Sequence, residues 1–121
     1  MFSHEFYKIV HIIGIVTLMV ALGGAACLMM AGATTSRRLL AALHGVGAFL
    51  ILLGGFGMLA RLGIIQGGAF PAWLWLKIGV WLILGAALIV AWRRPVLARP
   101  VLFSLPVLAG VATYMAVYKP F

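Results

Sequence analysis

The sequence predicts an all-α membrane protein, a bundle of four antiparallel transmembrane helices in one domain. Two observations predict it. Of 121 residues, 66% are hydrophobic and only 8% charged, with a mean hydropathy of +1.25. A soluble chain of this size buries only about 60–70% of its surface and could not hide so much apolar area. The apolar residues are also gathered into four runs, 7–30, 39–62, 71–92 and 101–118, each near the ~20 residues that cross ~30 Å of hydrocarbon. Barrel strands are only ~9–11 residues long and alternate in polarity, so spanning by strands is excluded.

The first run, Tyr7 to Met30, holds the only cysteine, Cys27, after Leu22-Gly23-Gly24-Ala25-Ala26. It is too long for a signal-peptide core and reads as an uncleaved span in which Cys27 is a small apolar residue. Gly14, Thr17, Ala21 and Gly24 recur at three- and four-residue spacing with His11 at the head of the stripe. Ala41, His44, Gly47, Gly54 and Met58 do the same on the second run. Small residues let membrane helices approach closely, so these stripes predict a tight seam. Thr34-Thr35-Ser36-Arg37-Arg38 makes the first turn and offers helix caps. Gly63 to Gly68 makes the second, with Pro71 placed for a first helical position. Arg93-Arg94-Pro95 and Arg99-Pro100 make the third, and Pro106 is expected to kink or delay the fourth helix.

Nine Lys and Arg stand against one acid. They flank the apolar runs instead of forming a basic face, which excludes nucleic-acid binding and makes them topology signals and headgroup contacts. Arg37, Arg38, Arg93, Arg94 and Arg99 fall on one side and are expected to meet anionic lipid headgroups. Lys8, Arg61 and Lys119 fall on the other, with Glu5. The positive-inside rule places the Arg-rich loops in the cytoplasm and both termini in the periplasm, as expected of a multi-pass protein of the bacterial inner membrane.

Two polar residues within the spans point to a site. Lys77 lies six positions into the third run, roughly 9 Å below the surface at 1.5 Å per residue. An ionisable group at that depth either snorkels or serves a ligand. Trp73 and Trp81 flank it at four-residue spacing, suited to stacking on an ammonium. His11 sits at similar depth on the first run, and Tyr114 on the fourth approaches the same level. His44, six residues in from Arg38, lies toward the opposite face. It is too far from His11 to ligate the same iron, and a buried His of this kind commonly bonds to a neighbouring helix. No span contains an acid, and no nucleotide loop, HExxH or Ser–His–Asp set is present.

Tyr7-Lys8-Ile9-Val10-His11-Ile12-Ile13-Gly14, followed by Gly23-Gly24, resembles the opening helix of the CopD-like copper-resistance membrane domains, the HemJ protoporphyrinogen oxidases and the SirB-like proteins. Trp73-Leu74-Trp75-Leu76-Lys77 resembles the third-helix Trp-Leu-x-x-Lys pattern of the HemJ and SirB groups. The resemblance covers about a third of the chain. It implies a haem b or other tetrapyrrole site with His11 as the iron ligand and Lys77 beside it; His44 and Tyr114, polar or aromatic groups on the other two runs, are further cofactor-binding candidates outside the resemblance.

Three functions compete. Short loops and the lack of a catalytic set favour a non-catalytic subunit or assembly factor of a membrane complex, working with other subunits or with copies of itself. The tetrapyrrole-binding protein is the sharper alternative. A small transporter or channel is the third, and it needs a polar path that Ser104, Thr113 and Lys77 scarcely provide.

Overall fold

The structure is a computed structural model that describes residues 3–62 and 71–118. The turn expected over Gly63 to Gly68, and Lys119, lie outside them. The chain is a four-helix bundle with α1 His4–Met30, α2 Arg37–Leu62, α3 Ala72–Arg93 and α4 Ala98–Tyr118. No strand occurs among the described residues, and all four helices are long and apolar enough to cross a membrane. This is a multi-pass membrane protein.

The helix ends differ from the sequence expectations in ways that local chemistry explains. α1 begins three residues earlier than the apolar run, because Ser3 caps it, its Oγ accepting from Phe6 N at 3.1 Å. It ends in a Schellman turn: Gly32, at φ +73°, donates to Met29 O at 3.1 Å, and Ala33 donates to Leu28 O at 2.9 Å. Pro71 is the residue before α3 and not its first helical position, with extended backbone at ψ 154°. Arg99-Pro100 does not belong to the third turn. A single 3-10 turn, Pro95–Leu97, carries the reversal and α4 starts at Ala98. Pro100 fits there because the first-turn N–H groups of a helix have no intrahelical partner to lose. Pro106 does not delay α4, which runs through it.

α1 is the central element, approached by each of the other three helices, and its seam with α2 is by far the closest; the α2 and α4 backbones do not approach each other closely. Glycine makes that closeness possible. A Cβ on Gly47 would lie 2.6 Å from Leu18 N, and one on Gly14 would lie 2.6 Å from Ile51 N. Gly14 of the first stripe and Gly47 and Gly54 of the second therefore meet the facing helix backbone to backbone, whereas Gly24 meets only the Leu40 side chain and His44 turns to α3. Gly54 seats against the His11 backbone and Gly57 against the Tyr7 ring. The main core forms where Leu18, Leu22 and Ala25 of α1 meet Val80, Leu84 and Leu88 of α3 and Leu105 of α4. In lipid such contacts gain dispersion energy, since hydrocarbon tails are as apolar as leucine. The outer surface follows the same logic, with Ile9, Val20, Phe49, Leu82, Phe103 and Val117 each more than half exposed. In a soluble protein that surface would aggregate, whereas in a bilayer it faces its natural solvent.

Two ends can be distinguished. Leu59, Trp73, Leu74 and Met115 cluster at the end where α1 begins and α4 finishes. Ala26, Met29, Ala98 and Trp92 cluster at the other, beside Arg37.

Candidate functional site

The α1–α2 seam fixes His11. Its backbone is held against Gly54, and its ring lies over Gly55, whose missing Cβ would sit 3.4 Å from Cε1. This bare stretch of α2 lets the imidazole reach a main-chain acceptor, and Nδ1 lies 2.8 Å from Ile51 O. A carbonyl can only accept, so Nδ1 carries the hydrogen. In the neutral ring Nε2 then holds the lone pair.

His11 and Lys77 line the same cavity, about 500 Å³, which occupies the half of the bundle that carries the described ends of α1 and α4. All four helices contribute to it. Its polar groups are mainly basic: His4, Lys8, His11 and Lys77. The walls are apolar and aromatic, including Ile51, Phe56, Trp73, Trp81 and Leu108. The similar depth of His11 and Lys77 was legible from helix rise alone.

The other two candidates stand elsewhere. Tyr114 is half-exposed on the outer side of α4, where its ring lies 4.9 Å from that of Tyr118. Its neighbours Thr113, Ala112 and Ala116 line the cavity in its place. His44 is buried outside the cavity, and its Nε2 lies 3.0 Å from Leu84 O on α3. Nε2 is therefore the protonated nitrogen there. Trp81 answers it from α3 to α2, donating through Nε1 to Ala48 O at 3.0 Å. These two bonds tie α2 and α3 across a seam where the helices have little direct contact.

The Ser and Thr hydroxyls within the spans turn onto their own helices. Thr17, Ser104 and Thr113 each donate to a carbonyl of their own helix, at 2.7, 2.7 and 2.8 Å. Among the described residues no three His, Cys, Asp or Glu side chains come together to hold a metal ion. What the site offers is the His11 imidazole, oriented through its Nδ1, the half-buried Lys77 ammonium and an apolar cavity.

Sequence reasoning missed the role of Trp81 as a helix-to-helix donor, because it was read only against Lys77. It also missed the walls from α2. Ile51, Gly55, Met58 and Leu59 recur at three- and four-residue spacing, the one signal that would have found them. Compared with family models, curated proteins and solved structures, the chain matches none of them.

Proposed function

We propose that this protein is a non-catalytic subunit of a membrane complex that holds a tetrapyrrole, haem b, in the cavity between its helices. The observation that carries the reading is the His11 Nδ1–Ile51 O bond at 2.8 Å. Metal-ligating histidines typically donate their second ring nitrogen to a carbonyl or carboxylate, which fixes the tautomer and orients the ligating nitrogen. The His11 ring is prepared in that way.

The rest of the cavity suits the group. About 500 Å³ lies within the usual range of ~300–1,000 Å³ for small-molecule sites. A porphyrin brings four nitrogens of its own, so one axial histidine suffices and a cage of protein ligands is not needed. Lys77, with Lys8 and His4 nearer the end of α1, offers cations for propionates. Trp73 and the aliphatic walls suit the macrocycle. When bound, haem would supply a redox-active iron; the chain's own residues position it and exclude water. Hydroxyls turned onto their own helices favour this reading over transport.

We place the chain in a bacterial inner membrane, with the Arg37, Arg38, Arg93, Arg94 and Arg99 end in the cytoplasm and the cavity end in the periplasm. The five-to-three distribution of basic residues supports this orientation.

Absorption spectroscopy on protein purified from haem-supplemented membranes tests the proposal. The expected result is a Soret band that His11→Gln abolishes and Lys77→Met weakens. No Soret band in the unsubstituted protein, or an unchanged one in His11→Gln, refutes it. Stoichiometric co-purification with other membrane subunits is the expected companion result.

A further inference from the structure

The end of the bundle opposite the cavity holds a second cluster that the proposed function does not use. Arg37, the first residue of α2, is half-buried with its guanidinium carbon 5.4 Å from the Trp92 ring centroid. Its Nη2 lies 3.6 Å from Met29 Sδ, a weak acceptor. Arg37 Nε and Trp92 Nε1 are both shielded from solvent, and neither has a hydrogen-bond partner.

Nearby acceptors are already engaged: Cys27 O, Leu28 O and Met29 O accept from Ala31, Ala33 and Gly32 in the C-terminal turn of α1. Glu5, the chain's one acid, is in the first turn of α1 at the far end of the bundle. A full positive charge and two N–H donors thus sit together with no anion supplied by the described residues. The surroundings are the small and apolar Ala26, Met29, Ala98 and Leu102.

A phosphate matches this shortage. The guanidinium fork pairs with phosphate oxygens through parallel N–H donors, and the Trp92 ring beneath the guanidinium helps to hold it at this end of the bundle. The flexible stem of Arg37 lets the fork turn outward to the headgroup level. A phosphate could come from a lipid or from solution. The pair stands at the end of a membrane-spanning helix bundle, at the level where headgroup phosphates are the abundant anions, which favours a lipid. We propose that Arg37 and Trp92 form a specific site for the phosphate of an anionic phospholipid. Arg93, Arg94 and Arg99, exposed around this end, add long-range attraction but not the site itself.

Native mass spectrometry of the detergent-purified full chain tests this, with phosphatidylglycerol, the phosphate-free diacylglycerol or inorganic phosphate added. We expect one retained phosphatidylglycerol, preferred over diacylglycerol by roughly tenfold, about the effect of one charge-assisted hydrogen bond. Arg37→Gln removes the preference, Trp92→Phe reduces it severalfold, and Arg94→Gln leaves it in place. The proposal is overturned if Arg37→Gln keeps the preference or if Arg94→Gln loses as much. It is equally overturned if millimolar inorganic phosphate displaces the lipid. Should Arg37→Gln not fold, Arg37→Lys and Trp92→Phe decide. Reduced lipid preference in either, with intact helicity, supports the site, and wild-type preference in both removes it.

Discussion

Replacing Gly47 with alanine tests the seam on which the bundle depends. The new methyl would lie 2.6 Å from Leu18 N and 2.9 Å from both Leu18 Cα and Gly14 O. All three are main-chain atoms and cannot rotate aside. Relief to about 3.4 Å, an ordinary contact distance, requires α1 and α2 to separate locally by roughly 0.8 Å. Overpacking of this kind destabilises by about 1–3 kcal/mol. The same movement stretches the His11–Ile51 bond, now 2.8 Å, beyond hydrogen-bonding range, and interhelical bonds in membranes are worth about 0.6 kcal/mol on average. The expected loss is therefore about 2–3 kcal/mol. Unfolding in a mixed-detergent titration, followed by far-UV circular dichroism, measures it. Gly79→Ala is the control, because a Cβ there meets nothing within 4 Å, and it should match the parent or exceed it slightly. If Gly47→Ala unfolds within 0.5 kcal/mol of the parent, as ordinary surface substitutions do, the backbone-to-backbone account of the seam is wrong.

Three further outcomes follow from the geometry. His44→Phe and Trp81→Phe each remove one of the α2–α3 bonds and should destabilise by about 0.6–1.7 kcal/mol. Their combined effect should differ from the sum, since both brace one seam; strict additivity in the same titration would show that they act separately. Ser36 holds φ +63°, a left-handed conformation that disfavours a side chain, so Ser36→Gly should stabilise by about 1 kcal/mol. A lower midpoint for that variant would contradict the strain argument. In a Cys27→Ala background, an impermeant maleimide applied to intact cells should label Ser3→Cys and spare Thr34→Cys; the reverse pattern inverts the proposed orientation.

How much of this was legible in the sequence depended on which physical signal carried it. Span number and depth are set by apolar length and helix rise, so four helices and the shared level of His11 and Lys77 could be read directly. Direction around a helix is another matter. α3 and α4 are apolar on nearly every side, so polarity gives no sign of which face turns inward, and Tyr114 went to the outer side while Thr113 faced the cavity. The glycine stripes were readable because small residues recur at helical spacing, whereas the partners Leu18 N and Ile51 N were not, being backbone atoms. The Arg37–Trp92 pair joins residues far apart in the chain. Nothing local announces it.

Three of the bonds that lash the helices together share an asymmetry. His11, His44 and Trp81 supply the hydrogens, while Ile51, Leu84 and Ala48 contribute only peptide oxygens. Every amino acid owns such an oxygen, so residues 51, 84 and 48 are free to drift within the limits of packing. The three donors have no such latitude, since few side chains offer a ring N–H at that reach. Selection on the cohesion of this bundle therefore falls on one partner of each bond, and a substitution survey that looked for paired changes across the helices would find none at these contacts.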